Sequence, residues 1–169
     1  MATMKFLNAA GKYSDPLAYD CVIRYILQDY KTPNKIIGGF GVDLNNPAQS
    51  MKDHAIRYKK DDGVRLRHFV VSFTHKEIKD LSMIKKIAYH LGLVISLTHQ
   101  VVYAVHEDTG ALHIHYVFNS VALFTGRKYH GSKSDHYELK QTIKNALKVN
   151  GIPVCYEIPY HPSNYNPHE

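Results

Sequence analysis

The stretch His106-Glu107-Asp108-Thr109-Gly110-Ala111-Leu112-His113-Ile114-His115-Tyr116-Val117-Phe118-Asn119 decides the fold. Two strand-like runs, 99–106 and 112–121, flank the turn sequence Asp108-Thr109-Gly110 and predict a β-hairpin. Side chains two apart on a strand share a face, so His113 and His115 point the same way. Leu112, Ile114, Tyr116 and Phe118 point the other way, toward a core. With Thr109-Gly110 as the two-residue turn, His106 stands opposite His113, and directly opposed residues share a face. Val101, Tyr103 and Val105 then join the apolar side, so the two strands agree in register. Three imidazoles converge on one side of the hairpin, with Asn119 farther along that face. A one-residue slip would dissolve the cluster.

Outward from the hairpin, the chain alternates strands and helices. Residues 4–9 and Lys35–Val42 read as strands, the second with glycines that admit a neighbouring backbone or ligand. Asp15-Pro16 starts a helix whose apolar arc carries Val22, Tyr25 and Ile26, and Thr32-Pro33-Asn34 ends it. Pro47–Lys60 is a polar helix, Arg67–Phe73 a strand, and Glu77–Leu91 a helix closed by Gly92. Asp135–Val149 forms a basic helix ending at Gly151, and Ile152–Ile158 a last short strand. The order predicts an α+β domain: an antiparallel-rich central sheet with flanking helices stacked on it. Residues 1–158 form the domain, and 159–169 are a tail or the start of a linker to a region not represented here.

Composition limits the function. The chain has 169 residues and a formal charge of +6, with 12 His, 13 Tyr, 2 Cys and no Trp. Two cysteines exclude a disulfide framework and a four-thiolate zinc site, and Cys21 and Cys155 read as small buried hydrophobes. No apolar run approaches membrane-spanning length, and no secretory leader opens the chain, so a cytoplasmic location is expected. Three converging imidazoles suit a divalent metal with open positions: zinc, nickel, manganese or iron. Such a metal can polarise a phosphoryl oxygen. The chemistry then needs a nucleophile, and a tyrosine hydroxyl can attack phosphorus to give a covalent phosphotyrosine.

Read together, these residues resemble the HUH endonucleases, and most closely the MobP-type mobilisation relaxases. Val22-Ile23-Arg24-Tyr25-Ile26, with Lys31-Thr32 after it, resembles the family's N-terminal helix bearing the nucleophile. Arg67-His68-Phe69-Val70-Val71-Ser72-Phe73 resembles its strand of the type His-Phe-x-x-Ser-Phe. His106-x-Asp108, His113-Ile114-His115 and Phe118-Asn119-Ser120-Val121 resemble its metal motif, and Thr125–His130 the basic segment that follows. In place of a His-rich run common in relatives, this chain has Ala111-Leu112.

The resemblance implies a relaxase fold of ferredoxin/RRM-like type and a relaxase that nicks and rejoins one strand at an origin of transfer. By the same likeness, His106, His113 and His115 would bind magnesium or manganese, and Tyr25 would be the nucleophile. Asp108 and Asn119 would support the ligands, and Asp108 or Glu107 stands close enough to orient one histidine. The implied partner is single-stranded or hairpin DNA, together with relaxosome accessory proteins.

Alternatives stand beside this reading. Tyr19 and Tyr30 rival Tyr25, because the same helix presents all three. A rolling-circle replication initiator, a single-strand transposase, or a silent single-stranded nucleic-acid-binding module would use similar features. Six basic residues between 121 and 150 (Arg127, Lys128, Lys133, Lys140, Lys144, Lys148) face only Asp135 and Glu138, and Arg65 and Arg67 belong to a second basic cluster. These are the candidate phosphate contacts. His68 reads as a satisfied structural histidine, one of those assigned no function.

Overall fold

In the computed structural model, which describes residues 2–152, five antiparallel strands form one sheet. The strands are β1 (Thr3–Leu7), β2 (Ile37–Phe40), β3 (Leu66–Ser72), β4 (Val101–His106) and β5 (His113–Asn119). Their order across the sheet is β1-β3-β5-β4-β2, so the hairpin strands occupy the interior. The helices are α1 (Ala18–Ile26), α2 (Pro47–Arg57), α3 (Leu81–Ile95) and α4 (Lys133–Val149).

Every position of β4 is buried, as befits a strand covered on both faces. On one face Phe69, Val71, Val101, Tyr103, Val105, Ile114, Tyr116 and Phe118 pack with α3 and α4 through Ile84, Leu91, Ile143 and Leu147. On the other, Leu66, Val102, Ala104 and Val117 pack with α1 and α2 through Val22, Ile26, Met51 and Ala55. The helices therefore cover both sides of the sheet in pairs, α1 with α2 and α3 with α4.

Several elements differ from the sequence expectation for identifiable reasons. α3 starts at Leu81, because Asp80 caps it by accepting from the Met83 amide at 2.8 Å. Glu77 closes a separate turn with Thr74 instead. α3 also runs past Gly92, which is a packing position and not a stop. A Cβ there would lie 2.9 Å from the Tyr103 ring. In β2, a Cβ on Gly38 would lie 2.5 Å from the Tyr103 hydroxyl, whereas one on Gly39 would lie 2.7 Å from the Val101 carbonyl, the close approach of a neighbouring backbone that the sequence predicts. Cys21 is exposed, contrary to the reading of a buried hydrophobe. The buried set of α1 is Ala18, Tyr19, Val22, Ile23 and Ile26, and Cys21 falls outside that arc. Cys155 and nearly all of the expected strand at 152–158 lie outside the described residues. Among the described residues, no helix is long and apolar enough to cross a membrane.

Candidate functional site

The hairpin register sets the site. His106 pairs with His113, and Ala104 with His115, so the three histidines share the face covered by α1 and α2. The turn runs through residues 107–112, with Gly110 at φ +76, a conformation glycine adopts without steric cost. The segment after α1 grips this loop: the Glu107 amide donates to the Lys31 carbonyl, and Asn34 donates to the Glu107 carboxylate. One ring nitrogen from each of His106, His113 and His115 lies within 4.8 Å of the others.

Hydrogen bonding assigns the other ring nitrogens. His106 Nε2 donates to the Ile26 carbonyl at 2.7 Å, and His113 Nδ1 donates to the Ala111 carbonyl at 3.0 Å. A carbonyl only accepts, so each of these nitrogens carries the proton and the opposite one keeps a lone pair. His115 Nδ1 lies 2.7 Å from His68 Nε2. Each histidine thus has one nitrogen anchored and one left to ligate, the arrangement metal-binding histidines use. The donor set fits a divalent metal. Burial pushes His115 down to about 2 and lowers His106 as well.

Among the three rival tyrosines, only Tyr25 has a ring contact with this cluster among the described residues. Its ring centroid lies 6.1 Å from those of both His106 and His115, in edge-on geometry. Tyr19 is buried and donates to Asp61 at 3.0 Å, and burial pushes its hydroxyl well above the usual tyrosine range. Tyr30 lies beyond the end of α1 and is 67% exposed.

Two ammonium groups approach the Tyr25 ring, Lys12 and Lys31, each 4.9 Å from its centroid. Sequence reasoning assigned neither. Lys31 carried a hint, as part of the quoted helix motif, whereas Lys12 sits in an irregular turn with no pattern to mark it. Lys31 is buried and donates to Asp108 Oδ2 at 3.0 Å, a bond that raises the lysine and lowers the aspartate from their ordinary values. The other Asp108 oxygen lies 3.9 Å from His113 Nε2, beyond hydrogen-bond reach. Asp108 therefore holds Lys31, not a histidine.

Asn119 is likewise engaged elsewhere. Its amide donates to the Met51 carbonyl and to Gln100, and its oxygen accepts from the Val121 amide. It fastens α2 to the end of the hairpin. The basic candidates also separate from the cluster. Arg67 pairs in register with Phe118 and stacks on Tyr129, on the opposite face of the sheet. α4 covers that same face, so Lys133, Lys140 and Lys144 ride on a helix remote from the histidines. Arg65 is tied to Asp61 at 2.9 Å and Lys128 to Asp62 at 2.9 Å. Arg127 is exposed.

The face is uncovered on one side of the cluster. Ser72 and Thr3 continue the row from His113, and Val70 and Lys5 continue the row from His115. All four are partly or fully exposed, which leaves an open strip of sheet beside the two histidines.

The family model described as "Relaxase: MobA/VirD2-like, nuclease domain" matches residues 25–152, a span that includes Tyr25 and the three histidines. A Staphylococcus aureus protein named "Protein rlx" is 28% identical over 116 residues, which are 69% of this chain and 36% of that protein. A second of the same name and organism is 29% identical over 99 residues, covering 59% of this chain and 30% of that protein. The chain spans about a third of the length of these curated relatives. A solved structure described as "Molecular Basis of Vancomycin Resistance Transfer in Staphylococcus aureus" aligns over 93% of this chain and 97% of its own, at 15% identity and a TM-score of 0.45.

Proposed function

The chain belongs to the MobA/VirD2-like relaxases, and from that premise we propose that it nicks and rejoins one DNA strand at an origin of transfer. The observation that carries this reading is the Tyr25 ring set against His106 and His115, within the span the family matches. His106, His113 and His115 would hold magnesium or manganese, which when bound supplies Lewis-acid polarisation of the scissile phosphate.

The chain's own groups do the rest. Tyr25 Oη attacks phosphorus, an O–P bond forms, and the P–O3′ bond breaks. The products are a 5′-phosphotyrosine and a free 3′-hydroxyl, and the phosphodiester energy is kept for rejoining. The Lys12 and Lys31 ammonium groups place positive charge where the phenolate and phosphate oxygens develop negative charge. Asp108 fixes the Lys31 ammonium in place. The strip of Thr3, Lys5, Val70 and Ser72 gives the single strand a bed beside His113 and His115. We place residues 1–158 in this nuclease domain, with 159–169 leading from it.

The test is covalent trapping. The protein is incubated with Mn²⁺ and a labelled single-stranded oligonucleotide carrying the origin from the element that encodes it. An SDS-stable protein–DNA adduct is expected, lost in Tyr25→Phe and kept in Tyr19→Phe and Tyr30→Phe. No adduct on the cognate origin sinks the relaxase reading, and an adduct surviving Tyr25→Phe sinks the nucleophile.

A further inference from the structure

On the face that holds the histidine cluster, a second pair of polar side chains is buried behind it. His68 on β3 is 1% exposed and Tyr13 is 4% exposed. Tyr13 Oη lies 2.9 Å from His68 Nδ1, and His68 Nε2 lies 2.7 Å from His115 Nδ1. The three groups form an unbroken line from the protein interior to a metal-facing imidazole. We propose that His68 is a positioning residue for the metal centre, holding His115 with Nε2 toward the ion and relaying that choice to Tyr13. The inference rests on the metal reading of the cluster.

A hydrogen bond between two neutral imidazoles contains a single proton, so the line has two polarities. In the first, Tyr13 donates to His68 Nδ1 and His68 Nε2 donates to His115 Nδ1. His115 then carries its own proton on Nε2 and offers no lone pair to a metal. In the second, His115 Nδ1 donates to His68 Nε2, and His68 Nδ1 donates to Tyr13 Oη. Only the second frees His115 Nε2 as a ligand.

Both polarities keep both hydrogen bonds, and they differ at the two ends: Tyr13 donates into the line only in the first, and His115 Nε2 holds a lone pair only in the second. A metal at His115 Nε2 requires the second, at the expense of the bond the Tyr13 hydroxyl donates in the first. Binding there fixes the His68 tautomer, and by linkage a His68 fixed in that tautomer favours binding. The neutral imidazole also suits its surroundings. His68 follows Leu66 on its face and stands opposite Val117, where an unpaired carboxylate would be costly to bury.

The readout is the ring tautomer of each histidine in the ¹⁵N-labelled full chain, by long-range ¹H–¹⁵N correlation, with and without the diamagnetic ion Zn²⁺. Zinc is expected to convert His68 to the Nδ1–H form as the His106, His113 and His115 signals respond. Calorimetric titration with Mn²⁺ tests the same point. His68→Leu is expected to weaken binding by about 10- to 100-fold, with part of the loss restored in His68→Gln, which keeps an acceptor for His115. If His68 stays in the Nε2–H form while the other three rings respond, the relay is overturned and the metal centre stands. A folded His68→Leu that binds Mn²⁺ as tightly as wild type overturns it too, whatever its metal-free melting temperature. If none of the four rings responds to zinc, the metal reading falls and the relay falls with it.

Discussion

The two faces of the sheet are built by the same strands and solve burial in opposite ways. Under α3 and α4 the centre is aromatic and aliphatic. The Phe69 and Tyr116 rings stack at 5.0 Å, and the Tyr116 hydroxyl is satisfied by the Ala88 carbonyl. Under α1 and α2 the same strands present His68, His106, His115 and Asn119, all buried. Each of these has a specific partner: His106 the end of α1, Asn119 the body of α2, His68 and His115 one another. The apolar face gains stability from area, which is forgiving of exact chemistry. The polar face gains definition from pairing, so each loss there strands a partner. That difference teaches where to look for function. A fold that already has one full apolar core can give the other face to a reactive site.

The largest effect expected from breaking this comparison is on the apolar face. Phe69→Ala removes a fully buried ring and is expected to cost about 3–5 kcal/mol in chemical denaturation. The Mn²⁺ affinity of its folded fraction should be unchanged. A parallel loss of metal binding would show the two faces to be one cooperative unit, not two.

A smaller effect is expected from acid. At the edge of the apolar face, burial pushes His99 and His136 each down to about 4. The unfolded chain takes up these protons below its ordinary histidine value near 6.5, while the folded chain refuses them until about pH 4. Stability is therefore fully present above that ordinary value and is lost as pH falls from there toward 4. The melting temperature should drop between pH 7.5 and pH 4.5, and His136→Gln should flatten the slope. A flat profile in the wild type would contradict the burial of these rings.

The smallest effect is expected from the lysine stripe on α4. Replacing Lys140, Lys144 and Lys148 together by Gln should alter single-stranded oligonucleotide affinity less than Lys12→Gln with Lys31→Gln. The reason is that α4 covers the face away from the histidines, while Lys12 and Lys31 flank Tyr25. Binding measured across a salt series compares the two sets directly. The opposite ranking would put the nucleic acid on the α4 side.

Much of the candidate site was legible because it is local. His106, His113 and His115 converge through one turn and a period of two, and both can be counted along the ten residues from His106 to His115. The rest required distant segments to meet. His68 reaches His115 because β3 pairs with β5, with Val70 standing opposite His115. Lys12 and Lys31 come to Tyr25 from the two sides of α1 in sequence. Asp108, close in sequence to the three histidines, turned instead to Lys31. Nearness along the chain suggested a partner, and charge in a buried place chose another.

By itself, the sequence determined the five described strands, the pairing of His106 with His113 and the three imidazoles sharing a face, because alternation and turn chemistry act over a few residues. Only the tertiary structure decided which helices cover which face. That choice exposed Cys21, set Tyr25 against the histidines and sent the α4 lysines to the other side. The physical reason is that helix packing is governed by apolar surface matched between segments far apart in the chain, which no local pattern encodes.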